Sequence, residues 1–456
     1  MAATVAPRTE VELHRQIGLY AATAITVGNI VGSGIFRSPH SVAQEVPGVV
    51  LPLLAWVLGG VLSLCGSLVL AELAVAHPRT GGLYVFIRES FGNAWGFVFG
   101  WANLWVIKPT VIAAIASVFA LYFCEALRLP AGTQLPVGCA AILALTGINI
   151  LGVKEGAGTA SLFTTLKVIG ILVLCGAAFT LTATHAPGPI PEGAPAAAGS
   201  SSPLIIGFIA AMIPVLFAYD GWTDVTYVGG EVANPTRNLP IAIVWGTVLV
   251  IVIYVITNLA YYRVLSADDV ARYPAVGSET IGRLLGEWGR QALAVLVAIS
   301  TFGTVNGAVL TGPRVTQAMA ADGLLWRPLA RLDPRRNTPV LALVVQAVLA
   351  CVWLAVAGGF EDVSGWFVTT SWLFYGMSIA ALFIHRRRER EGREERHVSY
   401  RTPLYPLTAW IFILVTVGLI ASDLTASGWR AAAGVIVAAI GFPVYWVWKG
   451  RRSAAA

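Results

Sequence analysis

Twelve stretches of mostly apolar residues, each about 20 residues or longer, run along the chain, bounded by charges or by Gly and Pro clusters. They fall at approximately 18–43, 49–76, 93–124, 134–152, 157–182, 203–228, 239–262, 288–320, 338–357, 364–384, 404–423 and 429–448. About 20 residues at 1.5 Å rise is the length a helix needs to cross the hydrocarbon core of a bilayer. Hydrocarbon offers a bare backbone no hydrogen-bond partner, so each stretch has to satisfy its own amides as a helix. The predicted fold class is therefore an all-α polytopic membrane protein with 12 transmembrane helices. Charged residues make up 12% of the chain, half the roughly 25% of a soluble domain, which excludes a soluble globule. The 15 Trp and 13 Tyr supply enough amphipathic rings for belts at the membrane surfaces.

The net charge of +6 would suit an anionic partner such as nucleic acid if the charges formed a patch, but their distribution argues otherwise. An even number of spans puts both termini on one side. Twenty of the 30 Lys and Arg lie on that side and seven on the other, with Lys108, Lys167 and Arg314 inside spans. The positive-inside rule then makes both termini cytoplasmic in a plasma or inner membrane. The run HRRREREGREER at 385–396 reads as a topology-setting cytoplasmic loop that also touches anionic lipid, and no nucleic-acid partner is expected.

Cys65, Cys124, Cys139, Cys175 and Cys351 all lie in or beside apolar runs, with neither a disulfide framework nor a metal-ligand spacing. Of the histidines, only His385 and His397 share a polar loop. Neither a metal nor a cofactor is expected, and no catalytic set is found. The polar N-terminus lacks a cleavable signal, so the first apolar run is expected to remain a span.

Two spans carry internal breaks. Gly28, Gly32 and Gly34 stand close together in GNIVGSGIF of the first span, and Gly221 follows Asp220 in LFAYDGWTDVTYVGG of the sixth. Glycine costs a helix interior about 1 kcal/mol relative to alanine, so such clusters favour unwinding. Unwound backbone in hydrocarbon is tolerated where it lines a cavity or meets a ligand, and breaks opening two five-span halves are the mark of a transporter with a site at mid-membrane. The positive end of a half-helix starting near Gly34 suits a carboxylate. The carbonyls of Phe217, Ala218 and Tyr219 suit an ammonium. An α-amino acid satisfies both, its side chain entering a pocket lined by Ile30, Phe217, Trp222 and Trp372.

These motifs resemble the amino acid-polyamine-organocation superfamily, and most closely its L-type amino acid transporter branch in the manner of a bacterial permease or exchanger. The resemblance covers nearly the whole chain: VGNIVGSGIF, AEL followed by HPRTGGLY, KPT at 108–110, FAYDGW with EVANPTRNLP, TNLAYY, FGTVNG and GFPVYW. It implies a LeuT-type fold with five-plus-five inverted repeats and two additional C-terminal helices. On that plan 1–17 is a cytoplasmic N-terminus, 18–182 the first repeat, 183–202 an external connector and 203–384 the second repeat. A cytoplasmic basic loop at 385–403, the last two helices at 404–448 and a cytoplasmic tail at 449–456 complete it. The family implies sodium-independent transport of L-amino acids by alternating access, commonly as exchange.

Position by position, Gly32, Ser33 and Gly34 resemble the substrate-carboxylate cradle, with Ile30 beside it. Phe217, Ala218 and Tyr219 resemble the carbonyl set, Phe217 also acting as an outer gate. Ser371 and Trp372 fall at pocket-wall positions. Lys167 resembles an amine that occupies the sodium region of coupled relatives, contacting the first-span break and the eighth span, where Ser300 and Thr301 flank the ion site. Lys108 resembles a basic-Pro pair of structural or gating role. Asp220 stands where several L-type members carry a small residue, and can read a cationic side chain, assist the ammonium or cap its broken helix. Glu72, Asp224 and Glu231 read as parts of cytoplasmic-side polar networks. The loop EALRLPAGT lacks the cysteine by which animal relatives join an ancillary glycoprotein, so no disulfide-linked subunit is expected; Cys124 and Cys139 read as small buried hydrophobes.

Three functions compete at this point. Exchange of neutral amino acids fits the motifs best. Proton-coupled symport through Lys167, or carriage of a cationic amino acid or amine read by Asp220, are the alternatives. A membrane enzyme lacks its signatures: neither HExxH nor GxSxG occurs, and no histidine partners a transmembrane hydroxyl. A channel would need a repeated polar lining rather than one central site.

Overall fold

The computed structural model describes residues 15 to 453, except 16, 152–155, 184, 186–202, 334–335, 337, 358, 394–398 and 428. Apart from one bridge between Ile17 and Val232, the regular structure is helical, as the absence of hydrogen-bond partners in hydrocarbon demands. The first part of the chain forms α1 (Leu19–Ile30), α2 (Gly34–Glu45), α3 (Val50–Ala76), α4 (Leu83–Phe91), α5 (Asn93–Ala102), α6 (Lys108–Leu127), α7 (Gln134–Leu151) and α8 (Gly156–Thr180). The second part forms α9 (Leu204–Ala218), α10 (Asp224–Tyr227), α11 (Pro235–Val264), α12 (Ala267–Arg272), α13 (Val276–Ala321) and α14 (Val340–Val356). Finally come α15 (Phe360–Arg390), α16 (Leu407–Ser427) and α17 (Trp429–Ser453).

Among the described residues ten helices are long and apolar enough to cross a membrane, and Leu204–Ala218 and Val340–Val356 are shorter apolar helices. Residues 1–14 and nearly all of the 183–202 connector lie outside the described residues, as do 394–398 of the expected basic loop. That loop begins later than expected, because α15 continues to Arg390. The extra turns are held: Arg386 donates to both carboxylate oxygens of Glu72 at 3.0 and 2.7 Å, and Arg388 to the carbonyls of Glu89 and Ser90 at the end of α4. A kink at Gly286, whose φ is 72°, divides α13.

Most helices are apolar on both faces, one toward the protein and one outward. In α11, Trp245, Leu249, Val252, Ile256 and Leu259 form an exposed stripe while Gly246, Val250, Ile253, Tyr254, Thr257 and Tyr261 are buried. That pattern suits a helix whose outer face meets lipid. On its inner face α11 packs against α1 and α3, while α2 packs on α9. On the other side of the breaks α6 packs with α13, α14 and α7, and α8 touches both α1 and α13.

Local irregularities follow from proline. Pro109 has no N–H, so the carbonyl four residues back is left without its helical donor. Between α5 and α6 the chain forms a π turn over Asn103–Ile107, and the freed Trp105 carbonyl accepts from the Trp353 indole at 2.8 Å. Pro39 likewise frees the Ile35 carbonyl, to which the Tyr261 hydroxyl donates at 3.3 Å. At these two prolines the freed carbonyls are satisfied by side chains from neighbouring helices.

Candidate substrate-binding site

Both predicted breaks are present. Helix α1 ends at Ile30, the chain bends through Val31, Gly32 and Ser33, and α2 starts at Gly34. The Gly32 amide turns back to the Ile30 carbonyl at 2.7 Å, while the amides of Ser33, Gly34 and Ile35 find no backbone acceptor among the described residues. These are the orphan donors of a helix start, and the dipole of the 12-residue α2 adds positive potential there. In the second broken span α9 ends at Ala218 and α10 begins at Asp224.

The two breaks meet backbone to backbone. A Cβ on Gly34 would collide with Cα and Cβ of Ala218, and one on Gly221 would come within 2.7 Å of the Asn29 carbonyl carbon and the Ile30 nitrogen. Gly221 also has φ of 120°, a conformation that side chains oppose. Glycine is thus required on each chain by the other.

Of the three carbonyls expected to face an ammonium, two are partly engaged. Phe217 accepts from the Asp220 amide at 3.1 Å, and Ala218 from the Tyr254 hydroxyl at 3.1 Å. The Tyr219 carbonyl has no backbone donor among the described residues. Each carbonyl oxygen has two lone pairs, so all three remain able to accept. Tyr254 donates also to the Ile30 carbonyl at 2.6 Å, touching the last residue of both half-helices. The sequence reading missed this tyrosine.

The proposed pocket wall divides into two aromatic clusters. The Phe217 ring stands edge-on to Phe360 and Phe367, with centroids at 5.1 and 5.9 Å. Trp222 and Trp372 instead meet Tyr375 and Phe412, Trp372 stacking on Phe412 at 5.0 Å and 11°. Phe412 comes from α16, a helix that the sequence reading did not place beside these tryptophans. Ile30 and Ser33 are buried beside the first break. Ser371 is buried with its hydroxyl on the Phe367 carbonyl of its own helix at 2.6 Å.

Lys167, buried in α8, donates to the Gly28 carbonyl of α1 at 3.1 Å and to Thr304 Oγ1 of α13 at 2.5 Å. It therefore links the helix before the first break to α13 through Thr304. The Ser300 hydroxyl, one turn earlier, has no hydrogen-bond partner among the described residues, and the Thr301 hydroxyl donates to the Val297 and Ala298 carbonyls. The i, i+4 relation between Ser300 and Thr304 was the available signal.

Acidic groups near the breaks are engaged. Asp220 Oδ1 accepts from the Tyr375 hydroxyl at 2.6 Å. Asp224 pairs with Lys108 at 3.1 Å and accepts from Asn29 Nδ2 at 2.9 Å, while the Lys108 ammonium lies 5.0 Å from the Tyr227 ring centroid. Lys108 thus ties α6 to α10 directly, and to α1 through Asp224. Glu72 also accepts from the amide and hydroxyl of Thr402, both at 2.7 Å, and Glu231 pairs with Arg314 at 3.3 Å. Beside Phe360, the ring that Phe217 meets, Arg37 of α2 and Glu361 of α15 form an ion pair at 2.5 Å, with the guanidinium 5.8 Å from the Phe360 ring. That pair was not foreseen.

Two broken helices that meet backbone to backbone within a bundle of apolar helices are an arrangement found in membrane carriers. Residues 17–442 match the amino acid permease family, and the chain belongs to it. It is 32% identical to the serine/threonine exchanger SteT of Bacillus subtilis over 97% of this chain and 98% of that protein. It is also 31% identical to the human b(0,+)-type amino acid transporter 1, over 90% of this chain and 83% of the relative. The mouse large neutral amino acids transporter small subunit 2 is 32% identical over 89% of this chain and 76% of its own length. The chain is a multi-pass membrane transporter for amino acids and not an enzyme.

Proposed function

We propose that the protein exchanges neutral L-amino acids across the cell membrane, without sodium, by alternating access around the two helix breaks. The observation that carries this reading is the backbone contact of Gly34 with Ala218 and of Gly221 with Asn29 and Ile30, which sets amide donors and carbonyl acceptors at one place. A substrate carboxylate docks on the amides of Ser33, Gly34 and Ile35, beside Gly32, and its ammonium on the carbonyls of Phe217, Ala218 and Tyr219. Phe217 covers the bound molecule, and Ile30, Trp222, Ser371 and Trp372 bound the space its side chain enters. Lys167, with Thr304 and beside Ser300 and Thr301, stands in the place of a coupling ion. The fold is read as 12 spans in five-plus-five inverted repeats with two further helices and with both termini cytoplasmic. The exchanger among the relatives supports exchange, and the large neutral amino acid transporter supports neutral substrates. No disulfide-linked subunit is invoked.

Asp220 favours a second reading. Its carboxylate meets the Tyr375 hydroxyl and forms no ion pair among the described residues, so a cationic amino acid or amine would bring the missing counter-charge. Counterflow in proteoliposomes tests both. Labelled amino acid should enter only when unlabelled amino acid is inside, in sodium-free buffer; uptake driven into empty vesicles by an imposed pH gradient would replace exchange by proton symport.

A further inference from the structure

We infer that an anionic phospholipid seats its headgroup where α13 and α17 leave the membrane, held by Arg327 and Lys449 beside a pair of tryptophans. The inference does not depend on how substrate docks. The apolar stretch of α13 ends at Ala321 and that of α17 at Lys449, so both helices emerge close to those residues. They emerge on the same face, because the Trp326 ring stands edge-on to Trp448, with centroids 6.0 Å apart and planes at 89°. The Trp448 indole also donates to the Gly323 carbonyl at 3.4 Å. Each tryptophan is followed directly in the chain by an exposed cation, Arg327 in one case and Lys449 in the other. The ring contact thus brings two positive charges to one place at the depth of the headgroups.

Positive charge is in excess here. The connection from 322 to 339 holds four Arg against two Asp. Asp322 is paired with Arg88 of α4, and Asp333 accepts from the Arg336 amide at 2.9 Å. Arg327 and Arg331 are exposed and form no ion pair among the described residues. The longer basic run at 385–396 reads from sequence as the stronger lipid ligand, but four of its arginines are engaged within the protein. Arg386 is bidentate on Glu72, Arg388 meets the Glu89 and Ser90 carbonyls, and Arg387 and Arg393 share Glu391. A phosphate would have to displace those acceptors, whereas at Arg327 it supplies a counter-charge that the protein does not.

What borders the patch favours a lipid over a free phosphate. Trp326 is 45% exposed and Trp446 60%, and the Lys449 ammonium lies 5.4 Å from the Trp446 ring centroid. Where the connection turns into α14, Leu341 and Val344 are exposed as well. Indole rings at the membrane surface and aliphatic side chains beside them give acyl chains a place to lie, which a soluble anion would not use. Cations near a membrane surface each add about fivefold to the affinity for anionic lipid.

The whole protein in non-ionic detergent is titrated with phosphatidylglycerol and with phosphatidylcholine carrying identical brominated chains. Bromine quenches nearby indoles, and the quench that Trp326→Phe removes reports this site. Phosphatidylglycerol should quench at a concentration at least about tenfold below phosphatidylcholine. Arg327→Gln combined with Lys449→Gln should weaken phosphatidylglycerol about 30-fold and leave phosphatidylcholine nearly unchanged. Arg387→Gln combined with Arg393→Gln removes the same charge from the basic run and should leave both titrations as in wild type. Equal binding of the two lipids, an equal loss in the two double variants, or a quench that Trp326→Phe does not reduce overturns the inference. So does displacement of phosphatidylglycerol by glycerol 3-phosphate at the concentration at which the lipid itself binds, which would make this a site for a soluble phosphate.

Discussion

Gly34 and Ala218 approach so closely that a single methyl group on the glycine would overlap the backbone of the alanine. They are 184 positions apart and begin or end different half-helices, so this contact joins the two breaks. Overpacking such a contact costs about 1–3 kcal/mol, and it also forces the breaks apart. Gly34→Ala should reduce exchange at least about tenfold at equal abundance, and Gly34→Leu should abolish it. Full activity in Gly34→Leu, measured by counterflow, would remove the site from this place.

Lys167 presents a different dependence. Its ammonium supplies donors to Gly28 and Thr304, and Lys167→Met leaves both acceptors without that partner. Hydrogen bonds to charged groups contribute about 1.5–3 kcal/mol, so counterflow should fall roughly 10- to 100-fold. Thr304→Val should weaken transport in the same direction by less. Rates equal to wild type in Lys167→Met would leave the amine without a role in the carrier cycle.

Asp220→Asn keeps an acceptor for the Tyr375 hydroxyl and removes the charge. Inhibition by neutral amino acids should change little, whereas any cationic amino acid that binds the wild type should lose about 10- to 100-fold in affinity. A competition panel run on both proteins checks this. Identical panels would assign Asp220 to the end of its broken helix alone.

The Lys108–Asp224 pair is buried, so removing one partner strands the other. Asp224→Leu and Lys108→Met should each lower stability by about 3–5 kcal/mol, while the two combined should recover part of that loss. Thermal unfolding in detergent, compared across the two singles and the double, measures the coupling. Additive losses would mean that the pair makes no energetic contact.

Arg37 and Glu361 lie beside Phe360, the ring that Phe217 meets, and Glu361 is 48% exposed. An ion pair with one exposed partner contributes about 1 kcal/mol or less to stability. Glu361→Gln should therefore leave the unfolding midpoint nearly unchanged while speeding reaction of a Phe217→Cys reporter with an impermeant maleimide added on the side proposed as external. Unaltered labelling would separate this pair from gating.

The breaks were legible because glycine stands out within an apolar run: Gly32 and Gly34 in one span and Gly221 in the other oppose continuous helix in proportion to their local cost. Lys167 was legible for the same reason, as a charge where hydrocarbon makes charge expensive. Tyr254, Tyr122 and Tyr261 were not, although each donates from a neighbouring helix to a carbonyl of a broken span. A tyrosine inside an apolar helix reads as packing until the freed carbonyl opposite it is known. Pairs such as Lys108 with Asp224, or Arg37 with Glu361, join helices distant in sequence, and no periodicity announces them. The placement of Trp222 and Trp372 on Phe412 depended on where α16 docks, which the twelve-fold repetition of apolar segments does not specify. In α15, the extension to Arg390 follows from anchors on α3 and α4 that lie far along the chain.

The most direct test of the account is a cryo-electron microscopy map of the protein with a transported amino acid bound. The account predicts ligand density between the two breaks, its carboxylate at about 3 Å from the amides of Ser33 to Ile35 and its ammonium at the same range from the carbonyls of Phe217 to Tyr219. Amino acid density seated elsewhere, with the Ser33 amide and the Tyr219 carbonyl both distant from it, would contradict the account.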